Sequence, residues 1–227
     1  MNVDQWIKLS GIVIAFIEAI SWPLIVLLEL IVFHAPLKDF IGNLSILKLG
    51  PLEAQREQAE KIVDSLKQAA KEQKQDDPQL SSDENTRNIP KLAKQAVNPL
   101  MMRQLSKTRI LWVDDHPENN TYQRNALEAL GIRFTIVTST EIALKELKSK
   151  EFDAIISDMD RSPDKVAGYT LLDEVKAMNI NVPFILYARG GNREERKKDA
   201  LRKGAFASVS GPQTLFETVI NALENLI

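Results

Sequence analysis

The stretch RILWVDDHPENN, residues 109–120, sets an apolar run directly against two adjacent carboxylates, Asp114 and Asp115. A short apolar run of this kind, bounded by polar residues, has the length of a buried strand. The pattern recurs downstream. Apolar runs at 109–113, 133–138, 153–157, 182–187 and 206–209 alternate with helical patterns at 121–130, 140–149, 168–178, 192–203 and 213–226. Repeated strand–helix units predict an α/β domain, a five-stranded parallel sheet covered by helices on both faces. Ligands of such sheets collect beyond the carboxyl ends of the strands. Asp114 and Asp115 follow the first expected strand and Asp158 follows the third. Three carboxylates brought to one sheet edge repel one another unless a cation joins them or one keeps a proton.

Composition narrows the function classes. The 227 residues carry a formal net charge of −2, with Lys and Arg spread along the chain, so no nucleic-acid interface is expected. There is no cysteine, which excludes a disulfide framework and thiolate metal sites. Of the two histidines only His116 lies near the acids, and it reads as turn chemistry before Pro117. With no Cys nearby and His116 in a turn, an independent hydrolase is not expected, and neither is any other enzyme.

The composition is uneven along the chain. Residues 11–33, GIVIAFIEAISWPLIVLLELIVF, are nearly all apolar and long enough as a helix to cross a hydrocarbon core of roughly 30 Å. Glu18 and Glu29 interrupt the run. They either sit near the two interfaces or line an oligomer contact or pore. Pro23 would kink such a helix, which membrane helices tolerate. Lys38, Lys48 and Arg56 follow the run while Lys8 alone precedes it, which places the downstream chain in the cytoplasm. The expected organisation is a transmembrane anchor at 1–35, amphipathic and stalk helices at 36–74, a flexible linker at 75–107 and the α/β domain at 108–227. In the second segment Leu37, Phe40, Ile41, Leu44 and Leu47 suit a helix lying on a membrane surface. Leu52, Ala59, Ile62, Leu66 and Ala69 suit a helix that pairs with another copy, docks on a partner or stands solvated as a stalk. Residues 73–90 have the low hydrophobicity of a disordered linker, and IPKLAKQAVNPLMMRQLSK, 89–107, has room for one amphipathic turn or helix before the α/β domain.

Two resemblances sharpen these readings. Residues 20–55, with Trp22-Pro23, the rest of the apolar run and a basic amphipathic turn, resemble a membrane anchor found at the start of many bacterial proteins. ILWVDDHPEN, FDAIISDM and GAFASVSGP, across 108–227, resemble the receiver domain of bacterial response regulators, the CheY-like family. That resemblance implies strand order 2-1-3-4-5, as in flavodoxin-like folds. It implies Mg²⁺ held by Asp114, Asp115, Asp158 and the backbone carbonyl of Asp160, with Asp158 the phosphoacceptor for a histidine kinase. Two family positions depart. The Thr or Ser at the end of the fourth strand is Ala188, and the Lys after the fifth is Gly211. Ser208 also stands where the family's aromatic in the fifth strand would be. Arg161, Lys165 and Arg189 are candidate basic substitutes. The resemblance therefore implies a membrane-tethered receiver-like signalling or interaction module, working with protein partners and able to self-associate through its membrane and stalk helices. The intact acids favour a Mg²⁺ site, and the missing pair of readers favours a pseudo-receiver. An alternative is a pore-type or membrane-disrupting effector with the receiver-like domain as sensor. No DNA-binding module follows residue 227, so a transcription factor is not expected.

Overall fold

The computed structural model describes Trp6, Ile20, Ser21, Pro23 and residues 52–75, 88–188 and 193–224. The chain divides into two compact units, Met1–Glu53 and Ala54–Ile227. Apart from Ile20, Ser21 and Pro23, the expected transmembrane segment and the surface helix after it lie outside the described residues. Among the described residues no helix is long and apolar enough to cross a membrane.

The second unit is built on five parallel strands: β1 Arg109–Val113, β2 Arg133–Val137, β3 Ala154–Ser157, β4 Phe184–Tyr187 and β5 Ala207–Val209. Their order is β2-β1-β3-β4-β5, as the resemblance implies. The pleat sorts their side chains. Ile110, Trp112, Ala154, Ile156, Ile185 and Tyr187 enter one core, while Leu111, Val113, Ile155, Phe184 and Leu186 enter the other. Central strands buried on both faces must be apolar at every position, which is why RILWV shows no alternation in the sequence.

Five helices alternate with these strands: α4 Thr121–Glu128, α5 Thr140–Ser149, α6 Ala167–Ala177, α7 Arg193–Arg202 and α8 Pro212–Glu224. Among the described residues from 52 onward, three more precede β1: α1 at 52–75, α2 Ile89–Ala96 and α3 Pro99–Leu105. Local chemistry starts several of them. The Ser139 side chain accepts from the Ile142 amide at 3.2 Å at the head of α5, and Asn98 accepts from the Leu100 amide at 2.9 Å ahead of Pro99.

Two expectations are corrected here. The flexible linker expected over 75–107 is structured from residue 88 onward. Ile89, Ala93, Ala96 and Leu105 are buried in the same core cluster as Phe216 and Ile220 of α8. Their three- and four-residue spacing gives α2 one apolar face, and α8 supplies the surface that covers it. The stalk is not a free stalk either. Ile62, Leu66 and Ala69 of α1 are fully buried, and Gln73, one turn further on, is 6% exposed. Ile62 and Leu66 belong to the core cluster, and the Gln73 side-chain amide donates to the Ser210 carbonyl at the end of β5. The stripe that could have paired two copies is occupied by the chain's own domain. Together α1, α2 and α3 add apolar cover on the side of the sheet where α4 and α8 pack.

Candidate functional site

The sheet register brings the acids together. Val113 pairs with Ser157 across β1 and β3, so the next residue of each strand, Asp114 and Asp158, emerges side by side. The Asp158 amide donates to the Val113 carbonyl at 2.9 Å and the Asp114 amide to the Val137 carbonyl at 3.0 Å. Carboxylate oxygens of Asp114, Asp115 and Asp158 lie within 4.8 Å of one another.

Each acid is oriented by a neighbour. Asp114, 3% exposed, accepts the His116 amide at 2.8 Å on one oxygen and the Asn120 side-chain amide on the other. Asp115 accepts the Ser162 amide at 3.3 Å. Asp158 accepts the Met159 amide on Oδ1 at 2.6 Å, while its Oδ2 has no donor among the described residues. Burial, followed by the charge of Asp114, pushes the Asp158 acid up from 3.8 to about 6. The Met159 amide and the Arg161 charge offset part of that rise, and Asp115 adds to it. A cluster of hard oxygen donors that resists carrying its own charge suits Mg²⁺ chemically.

The acids open into a cavity of about 540 Å³ whose wall also includes Asp160, Lys165, Tyr187, Ala188 and Arg196. Asp160 is thus placed at the mouth, with its carboxylate 3.2 Å from the Lys165 ammonium. His116 is an exposed turn residue whose ring nitrogen lies 3.4 Å from Glu118, in keeping with turn chemistry.

The structure places Ala188 and Gly211 just beyond the ends of β4 and β5. Ala188, 5% exposed, follows β4 directly, and its amide donates to the Val209 carbonyl at 3.0 Å. Gly211 follows β5, and a Cβ built there would meet only the Thr214 hydroxyl at 3.6 Å, so space does not require glycine. Ser208 lies within β5. Of the three candidate substitutes, Arg189 lies outside the described residues. Arg161 is corrected: it turns inward, 4% exposed, and holds the loop between β3 and α6. Its guanidinium donates to the Ser157 hydroxyl and the Asp158 carbonyl, both at 2.7 Å, to the Ala167 carbonyl at 2.9 Å and to the Thr140 hydroxyl at 3.1 Å. With these bonds made inside the fold, it braces the Asp158 backbone rather than facing the cavity. Lys165 does line the cavity, but it is 84% exposed and paired with Asp160.

Sequence reasoning missed three residues. Asn120 orients Asp114 from the end of the loop, and Gln73 reaches the β5 end from a helix that read as a stalk. Arg196 sat inside the charged run NREERKK, where nothing distinguished it from its solvated neighbours. Asn120 alone had a signal, in its closeness to the acidic pair.

Residues 110–221 match the family model described as the response regulator receiver domain. No curated protein matches. Among solved structures, a Francisella response regulator receiver domain is 21% identical, covering 53% of this chain and 99% of its own, with a TM-score of 0.48. A two-component response regulator from Clostridium difficile is 22% identical over 52% of this chain and 98% of its own, with a TM-score of 0.46. A CheY-like receiver domain protein from Methanospirillum hungatei is 21% identical over 52% and 94%, with a TM-score of 0.45. By the family match and the sheet order, residues 110–221 of this chain form a response regulator receiver domain.

Proposed function

We propose that the chain is a membrane-tethered signalling module in which Asp114, Asp115, Asp158 and the Asp160 carbonyl hold Mg²⁺ and Asp158 is the phosphoacceptor. The carrying observation is the convergence of three carboxylates within 4.8 Å, with one oxygen of Asp158 lacking a donor among the described residues. Bound Mg²⁺ would neutralise the cluster and the incoming phosphoryl oxygens. The free oxygen of Asp158 attacks the phosphorus of a phosphohistidine on a histidine kinase. An O–P bond forms as the P–N bond breaks, and the electron pair returns to the imidazole nitrogen. The chain's part is to accept and hold this group; we assign it no further enzymatic turnover.

Ala188 offers no hydroxyl to a phosphoryl oxygen and Gly211 offers no ammonium. Each charge-assisted contact of that kind is worth about 1.5–3 kcal/mol. We therefore read the module as a receiver that binds Mg²⁺ well and reads phosphate weakly, a pseudo-receiver in its output. Residues 11–33 are the proposed tether in the cell membrane, with the receiver domain on the cytoplasmic side. Because Ile62, Leu66 and Ala69 are already covered, self-association is assigned to the membrane segment rather than to α1.

The test is a two-stage titration of the full chain in detergent micelles, with amide resonances as readout. Mg²⁺ alone should shift Asp114, Asp115 and Asp158, and beryllofluoride should shift them again only in its presence. Asp158→Ala should abolish the second response. Silence toward Mg²⁺ would refute the metal site. A Mg²⁺ response without a beryllofluoride response would refute the phosphoacceptor and leave a metal-bound interaction domain. For the tether, the full chain should fractionate with membranes and a chain lacking 11–33 should not.

A further inference from the structure

Among the described residues, two cationic side chains line the cavity that holds the three acids, Lys165 and Arg196. They differ in what they already do. The Lys165 ammonium sits 3.2 Å from Asp160 and stands 84% exposed at the mouth. Arg196 comes from α7, is partly buried, and makes no hydrogen bond or ion pair with any described residue. It also borders a smaller adjoining cavity of about 150 Å³, whose wall includes Ser208, Ser210 and Thr214 at the end of β5. Arg196 therefore borders both the cavity of the acids and the one at the end of β5. Ala188 lines both cavities as well.

Resting on the phosphoacceptor reading above, we propose that Arg196 is the cation that contacts the phosphoryl group on Asp158, in place of the ammonium that Gly211 cannot supply. The chemistry favours it. A phosphoryl group brings about −1.5 to −2 charges and three acceptor oxygens into a site that already holds three acids. One divalent cation does not balance that sum. An Arg fork with five donors can hold two phosphoryl oxygens at once, which a single ammonium does not. Because Arg196 belongs to α7, phosphate read in this way pulls on α7 rather than on the turn between β5 and α8. Before the phosphoryl group arrives, the same guanidinium opposes a second cation at the acids. Its removal therefore acts in opposite directions on the two ligands.

The experiment is calorimetric titration of the full chain with Mg²⁺, then with beryllofluoride at saturating Mg²⁺, comparing wild type, Arg196→Gln, Arg196→Lys and Lys165→Gln. Arg196→Gln should weaken beryllofluoride by about tenfold or more while Mg²⁺ affinity stays equal or rises. Arg196→Lys should recover part of the loss, and Lys165→Gln should change beryllofluoride binding by less than about threefold. Beryllofluoride affinity in Arg196→Gln within about threefold of wild type would overturn the assignment while the phosphoacceptor reading stands. So would a parallel loss of both ligands, which marks a structural defect. A wild type that binds Mg²⁺ but no beryllofluoride overturns both readings together.

Discussion

Burial and the neighbouring Asp114 carboxylate raise the Asp158 acid to about 6 in the folded chain, from 3.8. A raised folded pKa contributes stability that is complete below the unfolded value, near 3.8, and is lost as pH climbs through about 6. In metal-free buffer, thermal scans should therefore show wild type falling behind Asp158→Asn as pH rises from about 4 to about 6.5, with no further fall above that. Saturating Mg²⁺ should close the gap, since the cation takes over the balancing that a proton provides at low pH. A gap that does not change with pH would contradict the electrostatic account of the cluster. At this scale the sequence was informative about acids and poor about bases. Asp114, Asp115 and Asp158 could be named because strand ends leave acids few other roles. Arg161 and Arg196 could not be told apart, because a long side chain reaches inward or outward according to what the fold leaves open.

The elements around the site are held by close approaches as well as by charge. Gly168, in the first turn of α6, lies where a Cβ would come within 2.6 Å of a Leu186 methyl and 2.8 Å of the Asp158 carbonyl. Its amide also donates to the Met159 carbonyl at 3.0 Å. Glycine lets α6 rest directly on the ends of β3 and β4, and Arg161 ties the intervening loop to the end of β3 and the start of α6. Gly168→Ala should cost about 1–3 kcal/mol in urea unfolding, because backbone must move to make room. It should also weaken Mg²⁺ binding by displacing Asp158. An unchanged midpoint would mean that the contact relaxes without consequence. The strands and the five later helices were legible because their periodicity is local. The pairing of α2 with α8 was not, since nothing local in IPKLAKQA says which surface will cover its apolar face.

Across the molecule, the receiver domain does not end where its family match begins. Ile62, Leu66, Ile89 and Leu105 are fully buried, all before residue 110, in one core with Trp112 and Phe216. Each such side chain is worth roughly 1.5–3 kcal/mol when removed from water. A chain beginning at residue 106 should melt roughly 10 °C or more below one beginning at residue 52, and should bind a hydrophobic dye. Equal melting points would show that α1, α2 and α3 are accessory. The Gln73 bond to Ser210 sets α1 against the end of β5, the strand end that Arg196 also borders. The sequence by itself determined the parallel sheet, the convergence of three acids at one edge and the absence of hydroxyl and ammonium at positions 188 and 211. These follow from strand periodicity and residue identity. Only the tertiary structure decided that residues of the expected stalk and of 88–107 are domain core, that Arg161 faces inward and that Arg196 lines the cavity of the acids. Those outcomes depend on which apolar faces meet and where a long basic chain finds room, and neither is encoded in local spacing.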